Sequence, residues 1–317
     1  MSQLPDQTNL ARVYLPGTHE SMSMHGFPFS SCQSKTIRQQ LDDGVRFLDV
    51  RLRLTEEGTL LGYHGIQNQY ITAEEIITQL YAFLDANPSE AVVVSLKQEN
   101  AAQDFEGVLW RLLDQQKNKW FSEDRWPTLN EVRGKALCFC RFGFSSKRGI
   151  HTYTWPNNSQ YPFECITGGI RTIIQDWYGI GSFLSIPAKT STVLSLFKSP
   201  SAPPAQIAAS NYNFDDPNAP APTPSSFSSQ AASGPAVRIN FASAAALITA
   251  FPYVVATGIG FPNFLGLGML GVNERILDEL LNYGREATKG DSMVLLLDYY
   301  ETPGNLIDLL IAWNFEL

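Results

Sequence analysis

A chain of 317 residues with 44% hydrophobic and 17% charged residues is long enough to bury one large core, and a barrel of ordinary size uses nearly all of it, so one domain over 1–317 is expected. The formal net charge of -8 argues against sequence-independent binding of nucleic acid, whose affinity comes mainly from Lys and Arg neutralising phosphates. Cys32, Cys138, Cys140 and Cys165 make no CxxC pair and have no nearby histidine at ligand spacing, which argues against a zinc site.

The opening residues MSQLPDQTNL have neither a basic start nor an apolar run, so no secretory leader is expected. A cytoplasmic or peripheral-membrane protein is favoured, or an extracellular one if a leader was removed. A monomer is expected. Short apolar, β-branched runs then recur at Arg12 to Leu15, Phe47 to Leu54, Ala91 to Leu96, Lys135 to Phe142, Ile170 to Gln175 and Ser292 to Leu297. Ala73 to Leu84 and Glu274 to Tyr283 carry apolar residues at helical spacing. Alternating strand and helix predicts an α/β fold, a single TIM-like (β/α) barrel of irregular or distorted shape. Cys138 and Cys140 are expected on one buried face of a strand.

Two stretches break the rhythm. About 199–237 the composition turns to Pro, Ala, Ser and Asn, too polar to offset its ordering entropy, and a flexible surface loop is expected. From Ile239 to Asn273 there is no charged residue. Its prolines and glycines argue against a spanning helix, leaving a buried barrel segment plus a packed apolar insertion about 244–270. Its aromatic-glycine mix also suits a rim that dips into a lipid surface.

Charged residues sit at the ends of the apolar runs, where barrel enzymes place catalytic groups because strand C-termini share one mouth. In RFLDVRLRL, period-two alternation puts Leu48, Val50, Leu52 and Leu54 on one face and Asp49 and Arg51 on the other, facing inward. The same count turns Lys97 inward at the end of AVVVSLK. Asp298 closes MVLLLD, Asp176 and Tyr178 share a face in RTIIQDWYG, and Arg141 shares one with Phe139. Of the four histidines, His19 in LPGTHES and His64 in LGYHGIQ stand in strand-end loops and are the obvious acid and base. His25 and His151, in polar loop sequence, are read as bystanders.

These motifs, in this order, resemble the X-domain family of phosphatidylinositol-specific phospholipases C: GTHES, FLDVRL, YHG, SLK, QDWY and LLLDYY match its site loops and strands from about residue 12 to residue 300. The resemblance is to the bacterial-type, calcium-independent branch, because Arg51 stands beside the phosphate position and Lys97 replaces an acidic ligand that a hard divalent cation would need. It implies neither metal nor cofactor. His19 would take the proton of the inositol 2-hydroxyl, Asp298 would orient His19, His64 would protonate the leaving diacylglycerol oxygen with Glu20 as its carboxylate partner, and Arg51, held by Asp49, would neutralise the phosphate. Products would be diacylglycerol and inositol 1,2-cyclic phosphate. Lys97, Arg141, Asp176 and Tyr178 would contact the inositol ring. Glu20 departs from the usual aspartate by one methylene.

Blander readings stand beside these: structural histidines in glycine-containing turns, an internal Asp49–Arg51 ion pair, a strand-end cap for Asp298, a snorkelling Lys97, and solvated strand ends for Arg141, Asp176 and Tyr178. Two rival functions are a noncatalytic membrane-binding module on the same fold and a metal-dependent glycerophosphodiester phosphodiesterase. The latter needs acidic ligands where Arg51 and Lys97 stand.

Overall fold

The computed structural model describes residues 1–143, 146–152, 154–198, 236–246, 249–261, 267–283 and 292–315. The expected flexible loop falls on 199–235, outside the described residues, apart from its last positions, Ala236 and Val237, which are buried.

The β-branched runs form strands with one face on the barrel interior and the other under helices, which is why they read as continuous apolar sequence. In chain order these are β1 (Leu15–Thr18), β2 (Phe47–Leu54), β3 (Leu60–His64), β4 (Gln67–Thr72), β5 (Ala91–Gln98), β6 (Trp120–Phe121) and β7 (Lys135–Arg141). They continue as β8 (Ile150–His151), β9 (Ser159–Thr167), β10 (Ile170–Asp176), β11 (Val237–Phe241), β12 (Gly258–Phe261), β13 (Leu267–Leu270) and β14 (Ser292–Leu297). The helices are α1 (Ile37–Asp42), α2 (Ala73–Ala86), α3 (Phe105–Leu113), α4 (Leu129–Val132), α5 (Ile186–Lys198), α6 (Pro252–Thr257), α7 (Val272–Tyr283) and α8 (Asn305–Ala312). Helix α2 starts at a capping box: Thr72 Oγ1 accepts from Glu75 N, and the Glu75 carboxylate accepts from Thr72 N at 2.8 Å.

The sheet runs β6-β7-β5-β2-β1-β14-β11-β10-β9, with every neighbouring pair parallel except β10 and β9. It curls without closing by strand pairing among the described residues. Across the gap, Trp126 Nε1 donates to the carbonyl of Thr167 at 3.0 Å. Phe47, Val93, Phe139, Ile174, Ile239 and Leu296 fill the interior, while Leu48, Val50, Leu52 and Val94 face the helices. This is the expected distorted barrel, and the period-two assignment of Phe47 to Leu54 holds.

Two expectations shift, the start of the first strand and the place of His151. Leu10–Arg12 form a 3-10 turn, capped by Asn9 accepting from Ala11 N at 2.9 Å, so the first strand begins at Leu15 instead of Arg12. Strand β11 is the buried barrel segment expected from Ile239, and it begins two residues earlier, at Val237. Within the apolar insertion, α6 is followed by the hairpin β12–β13, a separate two-stranded sheet. His151 lies buried in β8 instead of in a loop, whereas Cys138 and Cys140 do share a buried face, their sulfurs 3.5 Å apart. Among the described residues no helix is long and apolar enough to cross a membrane.

Phe139 is fully buried between Phe47 and Trp126, with ring centroids at 6.0 and 6.3 Å. Phe139→Ala is expected to cost ~3–5 kcal/mol in urea unfolding, whereas Tyr161→Ala, on an exposed side chain, leaves the midpoint unchanged.

Candidate active site

Parallel register fixes what meets at the mouth. Arg51 pairs with Lys97 and Lys97 with Arg141 across β2, β5 and β7, so three cations stand in one lateral row. Strands in a sheet lie ~4.8 Å apart, too close for three cations without carboxylates between them. Asp49, one step down the inward face of β2, is fully buried. Its Oδ2 lies 3.0 Å from Arg51 Nη2, and its Oδ1 accepts from Arg141 Nη1 at 3.2 Å. Burial alone would raise the Asp49 carboxyl, but Arg51 and Arg141 outweigh it and hold the group well below the usual carboxylate range.

Loop β1–α1 carries His19 and Glu20. Gln33 Nε2 donates to the carbonyls of His19 at 2.7 Å and Leu297 at 2.9 Å, binding the ends of β1 and β14 together. That brings His19 Nδ1 to 2.8 Å from Asp298 Oδ1. The non-glycine residues beside these two groups, Glu20 (φ 41) and Tyr299 (φ 43), adopt left-handed backbone, a strained conformation that surrounding contacts must enforce. Glu20 N donates to Asp49 Oδ2 at 3.2 Å, and Asn273 Nδ2 donates to the Asp298 carbonyl at 2.9 Å.

His64 closes β3 before Gly65, whose φ of 54 turns the hairpin into β4. Its Nδ1 is 2.8 Å from the carbonyl of Ser30 and 3.0 Å from Glu20 Oε2. The His19 and His64 ring centroids are 6.3 Å apart. Glu20 is fully buried between Arg51, at 2.7 Å, and His64, in ion-pair contacts whose angles do not make regular hydrogen bonds. Burial raises its carboxyl, against the pull of Arg51 and His64.

Burial and the nearby Arg51 charge hold the His19 imidazole well below its ordinary value. Burial pushes the Asp298 carboxyl up, and the Glu20 charge adds to this. A 2.8 Å contact joins the two groups, and His19 is held toward its uncharged form. Burial would lower the Arg51 guanidinium, yet Asp49, Glu20 and Glu99 raise it. Burial and Arg51 lower the Lys97 ammonium, whose Nζ is 2.5 Å from Glu99 Oε1.

His19, Glu20, Arg51, His64, Lys97, Arg141, Asp176, Tyr178 and Asp298 all line one cavity of about 460 Å³, and Asp49 lies beneath it. Sequence reading missed several residues of this wall. Glu99 partners Lys97. The Trp155 ring lies 3.7 Å under the Arg141 guanidinium while its Nε1 donates to Asp176 Oδ2 at 2.7 Å. The Tyr178 hydroxyl donates to Asn157 Oδ1. Lys189, fully buried on α5, donates to the carbonyls of Trp177 at 2.7 Å and Phe241 at 2.6 Å, joining the ends of β10 and β11. In sequence, Glu99 was visible two residues beyond Lys97 on the same face, but nothing local flagged Trp155 or Lys189.

Fold and cavity together define a curled β/α barrel whose mouth gathers two histidines and a guanidinium, an arrangement suited to acid–base chemistry on an anionic substrate. Residues 8–141, less than half of the chain, match the family described as "Phosphatidylinositol-specific phospholipase C, X domain". The 1-phosphatidylinositol phosphodiesterase of Listeria monocytogenes is 33% identical over 151 residues, covering 43% of this chain and 46% of that protein. That of Staphylococcus aureus strain Newman is 26% identical over 197 residues, covering 56% and 63%. Each match spans less than two thirds of the relative. Over nearly the whole chain the fold is that of solved bacterial phosphatidylinositol-specific phospholipases C. A Staphylococcus aureus variant superposes with TM-score 0.72 at 22% identity, covering 99% of this chain and 96% of that one. The Listeria monocytogenes enzyme gives 0.66 at 23%, covering 99% and 97%.

Asp49→Ala would leave two buried guanidiniums short of a partner, and a loss of ~3–5 kcal/mol is expected in urea unfolding at neutral pH. The Asp49 carboxyl is depressed in the folded state from 3.8. Its contribution is therefore complete above the unfolded value and fades as pH falls through the folded one, so the gap between wild type and variant should narrow in acid.

Proposed function

We propose that the protein is a metal-independent phosphatidylinositol-specific phospholipase C that converts an inositol phospholipid to diacylglycerol and inositol 1,2-cyclic phosphate. The observation that carries this reading is the His19–Asp298 contact of 2.8 Å in one cavity with His64, whose wall also carries Arg51. A neutral imidazole kept uncharged by burial is a base ready at Nε2. His19 takes the proton of the inositol 2-hydroxyl while Asp298 stabilises the imidazolium that forms, the orienting role of a third triad member. The hydroxyl oxygen attacks the adjacent phosphorus, and Arg51 neutralises charge growing on the nonbridging oxygens. His64, held at Nδ1 by Glu20 and Ser30, gives a proton to the departing diacylglycerol oxygen. Asp49 fixes Arg51. Lys97, Arg141, Asp176 and Tyr178 form the wall that receives the inositol hydroxyls, with aromatic faces available to the ring carbons.

A lipid surface as partner is supported by the rim. Phe27 and Phe29 are 69% and 59% exposed and meet the apolar insertion at Tyr253 and Phe251, with centroids 6.4 and 4.9 Å apart. The loop after His19 thus shares the rim with the insertion, and exposed Ile66 and Tyr70 extend it. Such a patch beside a lipid-sized mouth fits peripheral docking by a single-domain monomer. The noncatalytic-module alternative retains this rim but gives no account of the His19–Asp298 pair.

Phosphorus NMR of the protein with phosphatidylinositol in mixed micelles is expected to show a cyclic inositol phosphate in excess EDTA. His19→Ala should lower the rate by ~10²–10⁴-fold, and activity that requires calcium would overturn the assignment of Arg51 and Lys97. Because the folded His19 value lies below 6.5, the base stays unprotonated into mildly acidic solution. The acid limb of kcat/KM assigned to His19 should therefore have its midpoint below pH 6.5. Phe27→Ala with Tyr253→Ala should weaken sedimentation with phosphatidylinositol vesicles while leaving hydrolysis of a soluble inositol phosphodiester unchanged.

A further inference from the structure

One buried side chain behind the cavity wall has no part in this reaction. Cys32 is fully buried, tied by its N–H to the carbonyl of Ser23 at 2.8 Å and by its carbonyl to Tyr299 N at 2.9 Å. Its sulfur lies 3.7 Å from His64 Nδ1. Ligand atoms of His19, Cys32 and Asp298 lie within 4.8 Å of one another, as do those of Glu20, Cys32 and His64. A thiol thus sits behind both histidines. Their positions along the chain, 19, 32, 64 and 298, give no ligand spacing, which is why the sequence argued against zinc.

Thiolate, imidazole and carboxylate are the donor set of zinc, whose sites are tetrahedral with three protein ligands and one open position when reactive. A hard divalent cation is disfavoured here by Arg51 and Lys97, but a soft sulfur ligand selects differently. Of the two clusters, His19–Cys32–Asp298 is the better. Glu20 is engaged by Arg51 at 2.7 Å, whereas the ion-pair partner of Asp298 among the described residues is His19 alone. Burial, with the Asp298 and Glu20 charges, keeps the thiol protonated, so it is inert as a nucleophile.

We propose that Cys32 makes the catalytic centre an inhibitory site for a thiophilic divalent cation, Zn²⁺, held by the Cys32 sulfur, a ring nitrogen of His19 and a carboxylate oxygen of Asp298. The ion enters through the cavity that His19 and Asp298 line. On binding, the S–H bond breaks, its proton leaves to solvent and a Zn–S bond forms with no change of oxidation state. The lone pair of His19 spent on the metal, and the carboxylate drawn from its orienting contact, are lost to proton transfer. Inhibition in this form rests on the phospholipase reading, whereas metal binding does not.

Binding is therefore read separately from activity. Titration of the whole protein with Co²⁺, after EDTA removal, should give one equivalent with a sulfur-to-cobalt charge-transfer band that Zn²⁺ displaces. Cys32→Ser should lose the band, and both its Zn²⁺ dissociation constant and its concentration for half inhibition should rise ~10-fold or more. His19→Ala should lose the same band. It also excludes the Cys138–Cys140 pair as the source, and it decides the matter if Cys32→Ser does not fold by circular dichroism. No thiolate band in the wild type, a band that survives His19→Ala, or equal Zn²⁺ inhibition of wild type and Cys32→Ser would each overturn the proposal. An inactive wild type that still binds Co²⁺ through Cys32 would count against the phospholipase reading and leave the metal site standing.

Discussion

Everything at the mouth of this barrel depends on one electrostatic constraint: Arg51, Lys97 and Arg141 stand in a single row across three parallel strands. Parallel register allows no relief by sliding, because a shift of one residue would turn each side chain to the helix-covered face. The cations are stable there only because Asp49 lies beneath two of them and Glu99 and Glu20 stand beside them. Interior ion pairs of this kind do little for net stability, since desolvation cancels much of the attraction. Their effect is to fix geometry.

That fixed geometry controls protonation. Burial and the charge of Arg51 oppose a positive charge on His19, while Glu20 Oε2 lies 3.0 Å from His64 Nδ1. One guanidinium thus bears on both histidines, on His19 by its charge and on His64 through the shared partner Glu20. The same crowding explains why Glu20 and Tyr299 tolerate left-handed backbone: each is held at a strand end by hydrogen bonds that a relaxed loop would lose. Cys32 belongs to this crowding too, its sulfur packed against the histidines and carboxylate from behind.

Around the charged floor the wall changes character. Trp155 lies flat against Arg141 and anchors Asp176, and Lys189 ties the ends of the two strands behind them. Above, aromatic residues from the loop after His19 meet those of the insertion. The cavity therefore runs from ionic base to apolar lip over a short distance, the order in which a lipid head group and its acyl chains would meet it.

The sequence by itself determined the strands that carry the site and the face each charged residue takes. Period-two alternation is a local property, and an inward Asp49, Arg51 or Lys97 follows from its neighbours alone. It also marked His19 and His64 by their loops. Other features were decided only by the tertiary structure, because they depend on which strands become neighbours and in what register. The cation row, the Trp155 stack, the buried Lys189 bridge and the thiol behind two histidines each join residues tens to hundreds of positions apart. The start of β1 and the first residues of β11, placed in the expected flexible loop, were misread for a related reason. Asn9 starts the opening turn by a side-chain cap, and Arg238 and Asn240 are polar residues whose burial is bearable only beside α5, where Asn240 donates to the Val193 carbonyl at 2.9 Å. Local pattern reports what a segment prefers, and only packing reports what it is set against.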